Sequence, residues 1–330
     1  MAKLLVIGGT GFFGKSILDG FQRNLLKKWD IENLIIMARN TEELQKNNSE
    51  LIGSNVQLIK GDIATINKIP FADFVIHAAA STDPRNYLAA PLKERANIIS
   101  GTLNYCALAK KFHKKSKIIY ISSGAVYGTQ PYKLNKIDEN FLFQDINNVP
   151  GNKKDYTIAK QDSEKAILSL GRQGLNVSIA RCFAFVGQWL PLDQHFAIGN
   201  FIRDGLLKQD IRIHATHRVY RSYMYADDLV EWLMTIANHS SIFCPIYNVG
   251  SDQEILLDQL ADKVGLYFGQ NVNKQNYLDE FVERYIPSVD KAKNELNLKI
   301  KFTLEKAIET TIQLIEYNNL ISKNTKNFFL

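Results

Sequence analysis

The chain has 330 residues, more than one hydrophobic core usually holds, which points to a large α/β domain or a domain with a satellite. With 45% hydrophobic and 11% aromatic residues but only 19 Gly and 8 Pro, collagen-like, low-complexity and disordered chains are excluded. A net charge of +6 permits phosphate-rich partners and leaves nucleic acid and small phosphorylated ligands both open. The three cysteines, Cys106, Cys182 and Cys244, are too scattered for a disulfide framework or a CxxC metal site, so a reducing compartment is expected. The N-terminal apolar run at 4–7 is too short for a signal peptide, and no stretch approaches the roughly eighteen apolar residues of a transmembrane helix. A cytoplasmic protein with no membrane partner is expected.

Short apolar runs at 4–7, 34–37, 56–59, 74–77, 118–122 and 177–180 alternate with longer amphipathic stretches. Strands this apolar, separated by helix-length segments, predict a parallel sheet covered on both faces, a doubly wound α/β fold. Helices are predicted over 15–28, 96–113 and 157–170, with a loop over 130–154 that carries Pro131, Pro150, Gly151 and several Asn. Beyond Gly187 come a helix over 197–207, a compact strand pair around 211–214, a helix over 225–237 and an apolar run at 246–249 returning to the sheet. A helix over 256–264, an irregular section, a final helix over 303–317 and a loose tail over 322–330 complete the chain.

Gly8-Gly9-Thr10-Gly11-Phe12-Phe13-Gly14 follows the first apolar run and opens the first helix. Glycines there allow a tight turn and close backbone approach, and the helix N-terminus faces a pyrophosphate, so the motif predicts a dinucleotide site. The end of the second strand reads Met37-Ala38-Arg39-Asn40, with no carboxylate for a ribose 2′-hydroxyl and one Arg that suits a 2′-phosphate, which favours NADP(H) over NAD. Tyr156 and Lys160 stand four residues apart, on one helix face. A neighbouring cation favours phenolate, so Tyr156 is expected to have a lowered pKa and to act as a general acid and base.

With these motifs and Ser122-Ser123 at a strand end, the chain resembles an extended short-chain dehydrogenase/reductase of the nucleotide-sugar branch, the NAD(P)-dependent epimerase/dehydratase type. GGTGFFG resembles its GxxGxxG, Gly61-Asp62-Ile63 its adenine-side segment, and His77-Ala78-Ala79-Ala80 its fourth-strand motif along the cofactor. The run 97–104 resembles its NxxGTxN helix, beginning at Asn97, and 122–128 its SSxxVYG strand. The resemblance implies that Ser123 hydrogen-bonds the reacting oxygen, Tyr156 exchanges its proton, and Lys160 holds the nicotinamide ribose. It places Gly8, Thr10, Gly11, Phe12, Phe13, Gly14, Arg39, Asp62, Ile63, Ala78, Ala79, Ala80 and Asn97 at the cofactor, and Ser81, Asn200 and Arg221 at the substrate. His195, in the loop expected to border the sugar, is either a second acid/base or a structural hydrogen-bonder. The segment 181–187 resembles the family's RxFNxxGP, with Ala184 where an Asn is usual. The segments 188–195 and 271–288 are expected to read the nucleotide and sugar.

The implied organisation is an NAD(P)-binding Rossmann domain over 1–186 plus about 222–250, and a substrate-binding cap from 187–221 and 251–330. In similar 4,6-dehydratases Asp and Glu stand at the positions of Gly124 and Ala125, and similar GDP-fucose synthases carry a Cys at that of Ala125. Neither residue here can move a proton, which disfavours both chemistries. Reduction of a nucleotide-linked keto-sugar with NADPH is expected, with 4-epimerisation on tightly held NAD as the alternative. A catalytically silent NADP-binding regulator is disfavoured because Ser123, Tyr156 and Lys160 are all present. Nucleic-acid binding is disfavoured because Lys and Arg are dispersed, and no metal site is proposed at His214 and His217. The helices over 96–113 and 157–170 are the pair through which similar enzymes form homodimers.

Overall fold

The computed structural model describes residues 1–81, 83–275, 277 and 281–327. Strands β1 (Ala2–Ile7), β2 (Ile31–Ala38), β3 (Val56–Lys60), β4 (Phe74–His77), β5 (Lys117–Ser123), β6 (Asn176–Cys182) and β7 (Ile246–Val249) form one seven-stranded sheet, ordered β3-β2-β1-β4-β5-β6-β7. Every pairing in it is parallel. In β1, Leu4 and Val6 enter the core on one face, while Leu5 and Ile7 enter the core on the other. That two-sided burial explains the continuous apolar runs.

Helix α1 (Phe12–Gln22) and the Ala226–Asn238 helix cover the first face, contributing Ile17, Leu18, Leu229 and Trp232. Helices α2 (Pro91–Phe112) and α3 (Gly151–Arg172) cover the second, contributing Tyr105, Leu108, Ile167 and Leu170. The strand order reverses between β1 and β4, and doubly wound sheets bind ligands in the crevice at that point.

A third core, built from Ile198, Phe201, Ile202, Ile211, Leu260, Val264, Ile308 and others, lies outside the sheet. Around it, Arg218–Arg221 pairs antiparallel with Ile255–Leu256 and parallel with Val282–Tyr285. The strand pair expected around 211–214 does not form locally. Ile211–Arg212 pairs with Val272–Asn273 instead, because Ile211 and Ile213 bury into this core and the partner strand is brought by the Leu257–Phe268 helix.

Other boundaries also differ from expectation. Helix α1 starts directly after Gly11 and stops at Gln22, where Asn24 turns left-handed at φ 62. Helix α3 begins at Gly151 with Pro150 as its N-cap, so the expected loop ends earlier. The final helix runs Leu304–Asn327 through most of the expected tail, and 328–330 lie outside the described residues. Among the described residues no helix is long and apolar enough to cross a membrane.

Candidate active site

The glycine loop sits at the C-terminal end of β1. Gly8 donates its N–H to the Met37 carbonyl at 2.8 Å, and at φ +85 a Cβ on it would lie 2.6 Å from Ala79 Cα. A Cβ on Gly14 would lie 2.1 Å from the Gly9 carbonyl oxygen. These two glycines are needed for the chain's own packing. Gly11 is different: it is the N-cap of α1 with no side-chain cap, and a Cβ there meets nothing within 4 Å. The loop therefore presents open space to the free N–H groups of an eleven-residue helix, which is what a pyrophosphate needs. The Phe12 and Phe13 rings turn away to pack on Phe185, at 6.3 and 5.5 Å between centroids. Gly14→Ala is accordingly expected to lower the melting temperature and abolish dinucleotide binding, whereas Gly11→Ala keeps the fold and weakens binding. Thermal melting and nucleotide titration of both variants check this, and a Gly14→Ala protein with wild-type melting would refute it.

Arg39, just past β2, is exposed and makes no ion pair with any described residue. Asp62 accepts the Ala64 N–H at 2.9 Å, and Ile63 beside it is buried. The 97–104 motif is largely structural. A Cβ on Gly101 would stand 3.1 Å from Ile63 Cγ2, Thr102 meets Ser163 of α3 at 3.0 Å, and Asn104 donates to the Ile63 and Ile66 carbonyls at 2.8 Å each. Asn97 is half-buried, its amide 3.4 Å from Glu94. Ala78, Ala79 and Ala80 are half-buried, with the Ala78 N–H on the Ile7 carbonyl at 2.8 Å.

Ser123 ends β5, Tyr156 lies in the second turn of α3, and Lys160 one turn further faces the same way. Lys160 is 3% exposed and donates to the Ile121 carbonyl at 2.7 Å and to Tyr120 Oη at 3.4 Å. Its ammonium stands 5.8 Å from the Tyr156 ring centroid. Thr157 and Gln161 donate to the Ala125 and Val126 carbonyls at 3.1 and 2.8 Å, locking α3 to the segment after Ser123. The pKa expectation for Tyr156 needs correction: burial raises it above the ordinary phenol value, and the opposing pull of Lys160 and of the Ser123 hydroxyl is smaller.

Residues that the sequence reading missed surround this trio. Glu164, one turn beyond Lys160, accepts from Ser122 Oγ at 2.5 Å and forms a buried ion pair with Arg181 at 2.8 Å. Arg181 also donates to Tyr127 Oη at 3.0 Å, and Tyr127 donates to Asn248 of β7 at 2.8 Å. The four-residue spacing from Lys160 was the available signal for Glu164. From the Val282–Tyr285 strand, Tyr285 packs against Tyr127 and Phe183 and brings its hydroxyl 3.4 Å from Ser123 Oγ.

The expected substrate residues lie on separate elements, and each is engaged by a neighbour. Ser81 is occupied within its own loop, accepting from the Asn86 amide at 2.8 Å. Arg85, on the Pro84–Ala89 helix that follows, pairs with Asp83 at 2.7 Å and reaches Asp193, in the loop that carries His195, at 3.5 Å. The His195 ring packs on Phe196 at 4.2 Å; burial lowers its pKa, with Asp83 pulling the other way and Lys153 reinforcing the drop. Asn200, on the Ala197–Leu206 helix, accepts from Arg203 at 3.2 Å. The Arg221 fork is not free: it binds Glu283 at 2.7 Å, which also meets His217 and Lys153, each at 3.3 Å. Burial alone would raise the Glu283 pKa, but Arg221, Lys153 and His217 bring it down to about 2. Of the 271–288 segment, 276 and 278–280 lie outside the described residues.

This geometry matches known proteins over most of the chain. The family model described as "NAD dependent epimerase/dehydratase family" matches residues 4–250. UDP-glucuronic acid decarboxylase 1 of Arabidopsis thaliana is 26% identical, over 93% of this chain and 68% of its own length. UDP-glucuronic acid decarboxylase 6 of the same plant is 28% identical, over 93% and 86%. Among solved structures, a UDP-glucose 4-epimerase of Thermotoga maritima superposes with a TM-score of 0.76 at 21% identity, covering 96% of this chain and 99% of its own. The dTDP-glucose 4,6-dehydratase DesIV of Streptomyces venezuelae superposes with a TM-score of 0.79 at 18% identity, covering 96% and 97%. Glycine loop, Ser-Tyr-Lys trio and matched length agree: the chain belongs to the NAD dependent epimerase/dehydratase family.

Proposed function

We propose that the protein is an NADPH-dependent reductase of a nucleotide-linked keto-sugar of the 4-keto-6-deoxyhexose type. The observation that carries this is the Ser123-Tyr156-Lys160 trio beside Gly124 and Ala125, two positions with no proton-carrying side chain. Gly124 also has no room for one, since a Cβ there would lie 2.7 Å from both Phe183 Cζ and Tyr285 Oη. Oxidation and reduction at carbon need only a hydride and one proton, whereas water elimination needs a further acid and base.

When bound across Gly8, Gly11 and Gly14, the dinucleotide supplies the hydride. Ser123 hydrogen-bonds the substrate carbonyl, Tyr156 delivers its proton to that oxygen, and Lys160 holds the ribose and favours the phenolate left behind. Residues 187–221 and 251–330 form the cap over the sugar, with Arg221 positioned for the diphosphate once its fork leaves Glu283. The exposed, unpaired Arg39 favours a 2′-phosphate, and net reduction draws on NADPH.

The alternative, a 4-epimerase holding NAD, is supported by the NAD of the family description and by the superposed UDP-glucose 4-epimerase. The test uses purified protein with UDP- and dTDP-4-keto-6-deoxyglucose, UDP-glucose and UDP-glucuronic acid, the last chosen from the relatives' names. NADPH consumption with a 4-keto sugar is expected. Interconversion of UDP-glucose and UDP-galactose without added NADPH would establish the epimerase instead, and carbon dioxide release from UDP-glucuronic acid would overturn both. In the same assay Arg39→Asp is expected to shift kcat/KM from NADPH toward NADH by about tenfold or more, the scale of one charged phosphate contact. An unchanged preference would exclude Arg39 as the determinant.

A further inference from the structure

A side chain from the cap reaches the catalytic serine. Tyr285 ends the Val282–Tyr285 strand, in register with Arg221 of the neighbouring strand, and its hydroxyl is 3.4 Å from Ser123 Oγ. Its ring packs on Phe183 at 4.6 Å, with the Arg221 guanidinium 5.9 Å from the ring centroid. The chain after it is pinned down: the Ile286 N–H donates to Gln130 Oε1 at 2.8 Å, and the Ile137 N–H to the Ile286 carbonyl at 2.9 Å. Gly124 is the complement of this arrangement, because any Cβ there would run into the Tyr285 hydroxyl. Tyr285 is thus built into the site.

The hydrogen-bond inventory of Ser123 gives the contact a direction. A serine hydroxyl has one hydrogen and two lone pairs. One lone pair takes the Ala125 N–H at 3.2 Å. Either hydroxyl can donate across this contact; with the phenol, the more acidic of the two, as donor, Tyr285 fills the second. Both acceptor sites are then filled, and Ser123 is left with its own hydrogen, on the side where its hydroxyl also meets that of Tyr156. We infer that Tyr285 is a positioning residue that aims the Ser123 hydrogen at the reacting oxygen of the substrate. The 3.4 Å separation is of the kind that tightens when substrate fills a site. Burial pushes the Tyr285 pKa up to about 12, against the pull of Ser123 and Arg221, so the phenol keeps its hydrogen at neutral pH.

This inference rests on the proposed hydride chemistry and holds for reductase and epimerase alike. The experiment measures kcat and KM of wild type, Tyr285→Phe, Ser123→Ala and the double variant, with whichever of UDP-4-keto-6-deoxyglucose, dTDP-4-keto-6-deoxyglucose or UDP-glucose the wild type turns over. Tyr285→Phe keeps the ring on Phe183, and its melting temperature reports that the fold is intact. The expected result is a kcat about tenfold lower with KM little changed, the scale of one lost hydrogen bond, and no further loss when Tyr285→Phe is added to Ser123→Ala. Unchanged kcat in Tyr285→Phe overturns the inference, as does an equal loss in both backgrounds, which would mean that Tyr285 acts independently of Ser123. If the wild type turns over none of the probes, the functional reading itself fails and this inference falls with it.

Discussion

Tyr156→Phe is expected to lower hydride transfer by about 10²- to 10⁴-fold, the usual contribution of a positioned proton donor, while nucleotide binding and melting temperature stay near wild type. The ring keeps its edge-on contact with Tyr87, at 5.5 Å between centroids, so only the proton is lost. The pH dependence follows from the raised pKa. Burial is the largest influence on Tyr156 and lifts it above the ordinary phenol value, with Lys160 and Ser123 opposing. A group with a raised pKa carries its proton throughout the neutral range, so ketone reduction should be flat there and fall only in strongly alkaline solution. The reverse oxidation needs the phenolate and should rise with pH. Lys160→Ala removes the main opposing influence and should move the alkaline limb of the oxidation to still higher pH. The measurement is kcat/KM in both directions across the pH range. A reduction rate that falls steeply between about pH 6 and about pH 8 would show Tyr156 ionising near neutrality and exclude this assignment.

The cofactor half was legible because its signals are local. Most strands from β1 to β6 hold a short, mainly apolar run, interrupted by Gln57 in β3 and Ser178 in β6, and the glycine loop is a contiguous motif whose spacing is set by two close backbone approaches, at Gly8 and Gly14. Tyr156 and Lys160 share one helix face. The third core was less legible because its strands are two to four residues long and find partners far along the chain, as Arg218–Arg221 does in Val282–Tyr285. No periodicity of such length distinguishes them from loops. That is why Glu283 and Tyr285 went unseen, and why the pairing of Arg221 with Glu283 was not anticipated. The Tyr156 pKa is set differently from the sequence expectation for a related reason: sequence shows the nearby charge, but burial depends on how α3 packs with Tyr87 and Ile98.

Glu164→Ala is expected to cost about 3–5 kcal/mol of folding stability, because it leaves a guanidinium buried without its carboxylate. The Arg181 and Glu164 side chains are only 6% and 3% exposed, so water cannot replace the lost partner. Arg181→Met should cost a similar amount by stranding the carboxylate. Removing both charges, as Glu164→Leu with Arg181→Met, should cost much less than the sum, since neither ion is then buried alone. Urea unfolding of the three variants gives this comparison, and strict additivity would show that the pair is not a coupled unit. Activity should fall as well. Tyr156, Lys160 and Glu164 are successive turns of α3, and Glu164 is tied to Ser122, the neighbour of Ser123. The same ion pair that joins α3 to β6 therefore fixes the spacing of Tyr156 from Ser123. A shift of about 1 Å in that spacing can lower kcat about a hundredfold even where the substrate still binds. Glu164→Gln keeps one acceptor oxygen, enough for the Ser122 Oγ and Arg181 Nε bonds made by Oε1, but sets an amide N–H against Arg181 Nη2, so it should recover more of kcat than of stability, separating the tie to Ser122 from the charge pair.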